Sequence, residues 1–554
     1  MTNRTVALRS AWGRTQGAAS LWGAILVLLG LYACGQETEM PHLSKQGDAQ
    51  QLIVHGKPFL ILGGELGNSS ASSLEYLRPS WEKLKAAHVN TILAPVYWEL
   101  IEPKEGTFDF SLVDGLLLDA RKHDIKIVLL WFGSWKNSMS CYAPSWVKKD
   151  FRRFPRAQDK SGRSMEMLTS FNRSNLEADR DAFVALMRHL RTMDASEHTV
   201  IMIQVENEVG MIPDARDYHP EATKAFQSEV PKELPEYLQK HKESLQPELR
   251  TVWQENGFKT SGTWEELFGT GLHTDEIFTA WNYSRYVHEI ASAGKKEHEL
   301  PMFVNAALIR EGYRPGQYPS GGPLPHLMDI WKAGAPSVDF LAPDIYFPNF
   351  VEWSGKYRRT DNLLFVPEAR LVHQSAADAF YAIGQHEAIG FSPFSIESID
   401  PAEHRLTGCY DVLSQLAPII LENQGKGTMA GVSVERSRPE TQVRFGEYQL
   451  TVSFELLDRY ASQPAVTDPR GGGLIIQLGN DEFLVAGSGL IVTFRSLDSE
   501  RPHAGILSID EGGYEKGVWK AGRRLNGDQS HQGRHVRLPY GDFGIQRVTL
   551  YQYR

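Results

Sequence analysis

Val200-Ile-Met-Ile-Gln-Val-Glu206-Asn207-Glu208-Val-Gly210 is the stretch whose reading decides the fold. Its first half is almost unbroken apolar side chains, as a strand covered on both faces requires. Its second half sets two carboxyls two residues apart and then a glycine that stops the strand. Residues i and i+2 of a strand share a face, so Glu206 and Glu208 are expected to lean the same way. Runs of the same texture recur at 58–65, 89–97, 125–132, 302–307, 338–346, 363–368 and 389–395. Between them, apolar residues recur at helical spacing: Leu74, Leu77, Trp81 and Leu84 form one face, and 112–120 and 183–190 repeat the pattern. Strand and helix alternating eight times predict a (β/α)8 TIM barrel. The same alternation permits an open doubly wound sheet, but no Gly-rich nucleotide turn accompanies these runs.

Two regions fall outside this repeat. Residues 210–300 are too long for a simple connection after strand 4 and carry a helical pattern over 276–294, with Ala280, Tyr283, Val287 and Ile290 on one side. Such an insertion is expected to shape the rim of the barrel, where loops on a rigid scaffold set specificity. Beyond about residue 425 the pattern changes to period two, as in Tyr448-Gln-Leu-Thr-Val-Ser-Phe454 and Leu490-Ile-Val-Thr-Phe494. The glycine clusters at 471–473 and 512–513 read as turns between strands. The expected plan is a catalytic barrel over 51–425 and a C-terminal all-β sandwich over 426–554, serving as a packed accessory domain.

The N-terminus reads as an address. Arg4, Arg9 and Arg14 precede an uncharged, mostly apolar run over 21–33 that is too short for a bilayer core, which needs ~20 residues. A basic start, a short apolar run and a small residue before the break predict a signal peptide over 1–33. The run ends Leu31-Tyr32-Ala33-Cys34, which resembles the bacterial lipobox and implies lipidation of Cys34. Residues 34–50 would then be a polar tether. The expected location is the periplasm or outer membrane, with a membrane contact through the lipid. Removing residues 1–33 deletes three arginines and no acids, which moves the net charge from −10 to −13.

That acidic balance argues against a nucleic-acid binder, which would present a basic surface. Three cysteines among 554 residues exclude a disulfide scaffold and a four-cysteine zinc site, and Cys141 and Cys409 are expected to be unpaired. His-Glu-x-x-His, Gly-x-Ser-x-Gly and the phosphate-binding glycine motifs are all missing. No metal and no cofactor is expected. Carboxylate chemistry is left. Glu208 sits at the end of the fourth run, and Glu368 ends the seventh in Phe365-Val366-Pro367-Glu368-Ala369-Arg370. Barrel active sites lie at that end of the strands, and two carboxyls facing each other there can hydrolyse a glycosidic bond. Glu206 reads as a hydrogen-bonded structural acid. Arg370 is placed to hold Glu368 ionised. Strand-end position also nominates Glu65, Tyr97, Glu99, Trp131, Trp135, Tyr346 and Glu397 for substrate binding.

Gln204-Val-Glu-Asn-Glu-Val-Gly210 resembles the acid/base motif of glycoside hydrolase family 35, the retaining β-galactosidases of clan A. Asn-Glu at the fourth strand and Glu at the seventh are the pattern that clan shares. The resemblance, which spans about residues 50–425, implies Glu208 as general acid/base, Asn207 as the neighbour binding the sugar 2-hydroxyl and Glu368 as nucleophile. It also places Tyr346 near the nucleophile. Tyr97-Trp98-Glu99-Leu-Ile-Glu102-Pro103 is similar to the family's Trp-x-x-x-Glu-Pro. Larger members carry Glu-Trp where this chain has Ser134-Trp135, and a His-Tyr-like pair where it has Glu65-Leu66. The activity implied is exo-acting hydrolysis of β-galactosyl residues from plant-type oligosaccharides, with a raised pKa on Glu208. Another clan A hydrolase, family 42-like or endo-acting, and a non-catalytic sugar-binding lipoprotein are the alternatives. The sequence sets no oligomeric state.

Overall fold

The computed structural model describes residues 39–454, 469–525 and 527–554. The expected signal peptide and Cys34 lie outside them. The first elements correct the expected tether. Residues 42–50 belong to a three-stranded antiparallel sheet, β1 (His42–Gln46), β2 (Ala49–Val54) and β3 (Lys57–Phe59). Gly47, at φ 56°, turns β1 onto β2, which buries Leu52 and Val54. The Gln46 side-chain amide then donates to the carbonyls of Leu421 and Gln424, free acceptors at the end of helix Arg405–Asn423.

Eight parallel strands follow and close into a barrel: β4 (Ile61–Glu65), β5 (Thr91–Tyr97), β6 (Lys126–Lys136), β9 (Val200–Asn207), β10 (Met302–Ala307), β11 (Phe340–Ile345), β12 (Val366–Ala369) and β13 (Gly390–Pro393). A short hairpin, β7 (Arg156–Gln158) and β8 (Ser164–Leu168), interrupts the connection after β6. Each strand falls on one of the eight apolar runs, and β5, β9 and β11 are buried along their whole length. Helices cover the outside. The face predicted over 74–87 forms two helices, Leu74–Leu77 and Ser80–Ala86, because Pro79 lacks the N–H that would continue the first. The insertion after β9 contributes four short helices and then the long helix Leu272–Glu297. The short helices pack on one another, on that helix and on helix Met328–Gly334, along the flank of the barrel.

The C-terminal region holds two antiparallel sheets. Six strands, in spatial order β14 (Met429–Glu435), β17 (Arg470–Gln477), β18 (Glu482–Ser488), β23 (Gly544–Tyr553), β20 (His503–Glu515) and β21 (Val518–Arg524), form one. Four form the other: β15 (Glu440–Phe445), β16 (Tyr448–Phe454), β19 (Leu490–Ser496) and β22 (Val536–Leu538). Val432, Leu450, Ile475, Phe483 and Val548 fill a core of their own between them. The glycines at 471–473 and 512–513 are not turns, as expected, but lie inside β17 and β20. Packing explains Gly472, since a Cβ there would lie 2.4 Å from the Ala377 Cα. The six-stranded sheet thus rests directly on helix Ser375–Gln385, which follows β12. Arg470 locks the contact, with its guanidinium 2.9 Å from Asp378 on that helix and 3.0 Å from Glu435 on β14. The described residues from 40 onward accordingly form one compact unit. Cys141 is exposed and Cys409 buried, and neither forms a disulfide among the described residues.

Candidate active site

The acidic end of β9 does not keep strand alternation. Glu206 has φ 61° and Glu208 φ 45°, both left-handed and uncommon for residues with a side chain. The two carboxyls therefore part company, contrary to the expected shared face. Glu206 turns outward between β6 and the helix layer, where its oxygens accept from the backbone N–H of Ser134 at 3.3 Å and of Trp135 at 2.7 Å. Asp179, from helix Arg173–Asp194, is its buried neighbour and accepts from Trp131 Nε1 at 2.8 Å and Ser134 N at 3.0 Å. Gly133 makes room for both acids, since a Cβ there would come within 2.8 Å of an oxygen of each. Burial, and then the Asp179 carboxyl, push Glu206 well above the ordinary carboxylate range. Its structural reading holds.

Glu208 turns inward. Its Oε2 accepts from Asn137 Nδ2 at 2.5 Å, and its backbone N–H donates to Asn305 Oδ1 at 2.9 Å. Glu368, on β12, faces it. Tyr346 Oη donates to Glu368 Oε2 at 2.6 Å, and Asn207 Nδ2 to Glu368 Oε1 at 3.3 Å. Lys136 Nζ holds the other end of the Asn207 amide, donating to its Oδ1 at 2.6 Å. One carboxyl oxygen each from Glu208, Glu368 and Asp344 lie within 4.8 Å of one another. Glu208 is pushed up to about 7, first by burial and then by the Glu368 charge, while Lys136 and the Asn137 hydrogen bond act in the other direction. The expected direction is right, but burial is its larger cause.

Four of the nominated residues, Asn207, Tyr346, Glu208 and Glu368, therefore converge, and Glu65 joins them at the end of β4. The other five stand elsewhere. Trp131 and Trp135 face the helix layer, Trp131 against Phe183 and Trp135 edge-on to Tyr286 at 4.5 Å. Bulky rings on a barrel strand pack outward when a helix offers the space, and strand-end position alone cannot sense this. Tyr97 is buried among Phe132 and Tyr142. Glu99 sits on the short helix Trp98–Ile101 and pairs with Lys148 at 3.5 Å. Glu397 accepts from Ser70 Oγ at 2.5 Å and Gly67 N at 3.0 Å, tying the loop after β4 to the turn after β13. Arg370 is exposed and has no ion pair among the described residues, so it does not hold Glu368.

Lys136, Asn137, Asn305 and Asp344 were missed. A signal for two of them existed: Asn305 and Asp344 are polar residues inside otherwise apolar runs, which a strand buried on both faces tolerates only with partners. A groove of about 760 Å³ beside Tyr346 is lined by Arg310, Tyr313, Phe347, Asn349 and Trp353, from the loops after β10 and β11 rather than from the long insertion.

Comparisons with known proteins bear on both parts of the chain. A family model described as Beta-galactosidase, that of glycoside hydrolase family 42, matches residues 72–270. A second, described as a domain of unknown function (DUF5597), matches residues 406–537. The model that matches part of the barrel is thus that of family 42, and it does not show the expected family 35. Beta-galactosidase-1-like protein 3 of Homo sapiens is 31% identical over 180 residues, 31% of this chain and 25% of that protein. A Beta-galactosidase of Xanthomonas manihotis is 34% identical over 71 residues, 13% of this chain and 11% of that protein. The chain spans a quarter or less of the length of these curated relatives. Among solved structures, the GH42 beta-galactosidase Gan42B aligns over 92% of this chain and 100% of its own, at 12% identity and a TM-score of 0.50. In the sequence of part of its barrel, and in fold over most of its length, the chain is similar to β-galactosidases.

Proposed function

We propose that the protein is a retaining, exo-acting β-galactosidase of clan A that removes terminal β-galactosyl residues from plant cell-wall type oligosaccharides by double displacement. The observation that carries this reading is the approach of the Glu208 and Glu368 carboxyl oxygens to within 4.8 Å. Retaining enzymes hold their two carboxyls about 5–5.5 Å apart, whereas inverting ones need ~6.5–9.5 Å to seat a water. Glu368, aimed by Tyr346 and Asn207, attacks the anomeric carbon. Glu208 gives its proton to the glycosidic oxygen, the leaving alcohol departs, and a glycosyl ester forms on Glu368. Esterification removes the negative charge of Glu368, which lowers the proton affinity of Glu208. Glu208 can then take a proton from the water that hydrolyses the ester, which regenerates both groups. The family 35 resemblance of residues 204–210 and the family 42 match over 72–270 both fit such a site.

A panel of nitrophenyl glycosides, with NMR of the first-formed anomer, tests the reading. Turnover of the β-galactoside with retention is expected; turnover of a glucoside or mannoside but not the galactoside, or inversion, would overturn it. We also propose that the protein is exported and anchored through Cys34. Metabolic labelling with a fatty acid should mark the wild type and not Cys34→Ala, and equal labelling would refute the anchor.

A further inference from the structure

Two side chains of the candidate active site come from a single turn. At the end of β6, Lys136 N donates to Met139 O at 2.8 Å and Met139 N to Lys136 O at 3.0 Å, which closes a two-residue hairpin. Its central residues are both left-handed, Asn137 at φ 51° and Ser138 at φ 61°. That is the type I′ turn, in which asparagine is among the few residues with a side chain that fit well. The hairpin hangs on β9, since Lys136 pairs in register with Asn207 and Asn137 N donates to Asn207 O at 3.2 Å. The turn thus meets β9 at the residue between Glu206 and Glu208.

Each side chain then serves one carboxyl. Asn137 Nδ2 donates to Glu208 Oε2 at 2.5 Å. Lys136 acts at one remove: its Nζ, 4.9 Å from the centre of the Phe132 ring, donates to Asn207 Oδ1 at 2.6 Å. An ammonium has donors and no acceptor, so it fixes which end of the amide faces it. Turned over, the amide would set N–H against N–H and its oxygen against the Glu368 carboxyl. In the orientation that Lys136 imposes, Asn207 Nδ2 donates to Glu368 Oε1 at 3.3 Å. Lys136 is 6% exposed, and a cation is buried so far only in the company of negative charge. That charge comes from the cluster around Glu208: Glu368 on β12, Asp344 on β11 and Glu65 at the end of β4, with the Tyr346 hydroxyl on Glu368. Against burial and the Glu368 charge, Lys136 and the Asn137 hydrogen bond favour the ionised form of Glu208. We propose that the Lys136–Met139 turn is one positioning device for both carboxyls. Asn137 orients Glu208 directly, and Lys136 orients Glu368 through the Asn207 amide while its ammonium supplies a cation to the acid cluster. The assignment rests on the glycosidase reading above.

Three variants separate charge, amide and turn. Lys136→Met keeps length without charge, Lys136→Arg keeps the charge, and Asn137→Gly keeps the left-handed backbone without the amide. On nitrophenyl β-galactoside, Lys136→Met is expected to lose roughly 10²-fold in kcat with KM little changed, because a misaimed nucleophile costs rate rather than binding. The alkaline limb of its pH profile should move up by about one unit, since Glu208 holds its proton more tightly once the cation is gone. Lys136→Arg should keep the limb at its wild-type position and recover part of kcat. Asn137→Gly should lose kcat and move the limb in the same direction, because the amide no longer favours ionised Glu208. A limb unmoved in Lys136→Met, a limb moved as far in Lys136→Arg, or losses confined to KM would each overturn the assignment. Wild-type turnover of the galactoside judges the enzymatic reading separately. Where turnover is nil, NMR titration of carboxyl-labelled glutamates still judges the turn, with Glu208→Gln identifying the signal. Glu208 titrating at higher pH in Lys136→Met than in the wild type supports the assignment, and equal titration rejects it.

Discussion

Two pairs of buried carboxyls meet around the end of β9, one through Glu206 and one through Glu208, and do different things. Glu206 and Asp179 are closed off: backbone N–H groups, the Trp131 indole and the Tyr286 hydroxyl fill their oxygens, and rings and helices surround them. Glu208 and Glu368 are held by side-chain amides and a phenol, with Lys136 fixing the Asn207 amide from behind, and part of each carboxyl is left facing the barrel mouth. Burial raises the proton affinity of Glu206 and of Glu208 alike. A perturbed acid is therefore not by itself a catalytic one. What separates the pairs is whether the protein has already used the oxygens.

The sharpest way to break this comparison is to remove one member of each pair. Glu368→Gly should cost on the order of 10⁴–10⁶ in kcat, with azide restoring turnover, because the proposed nucleophile has no substitute. Unchanged turnover would end its role. Glu208→Gln should lose ~10²–10⁴ with poor leaving groups and far less with dinitrophenolate, which departs without a proton. In the wild type, Glu208 must be protonated to act, so kcat/KM should hold below pH 7 and fall as pH rises through about 7. A flat profile from pH 6 to 9 would show that Glu208 is not the titrating acid.

Glu206→Leu should act on stability instead, because it strands the N–H group of Trp135, while that of Ser134 keeps Asp179. A cost of roughly 1–3 kcal/mol is expected from chemical denaturation, with the alkaline limb of the rate profile unmoved. A shifted limb would mean that the two pairs are coupled. The smallest effect belongs to chelation. Glu208, Asp344 and Glu368 converge as metal ligands do, yet the raised proton affinities of Glu208 and Asp344 and the nearby Lys136 reduce the negative charge a metal would need. EDTA should leave turnover unchanged, and loss reversed by a divalent ion would recast the acid cluster as a metal site.

How much was legible depends on what kind of signal each residue sends. The eight strands were readable because a strand covered on both faces must be apolar throughout, and that constraint is written locally. Glu208 and Glu368 were readable because a lone acid ending such a run is conspicuous. Trp131 and Trp135 carry no such mark, since a large ring suits a sugar face and a helix layer equally well. Lys136 and Asn137 were missed because β6 runs on past its apolar stretch into the site. The glycines of β17 were misread because a residue lacking Cβ serves a turn and a close contact alike, and only the neighbouring helix says which.

By itself, then, the sequence determined the alternation of strands and helices, the period-two texture of the C-terminal sheets and the two carboxyls at strand ends, all set by spacing along the chain. The tertiary structure decided the rest. It turned Glu206 away from Glu208 through two left-handed residues, brought Asn305, Asp344 and Lys136 to the same mouth, and seated the β sheets on the helix after the Glu368 strand. Those outcomes depend on which oxygens find donors and which surfaces find room, and such partners are distant in the chain and near only once the barrel has closed.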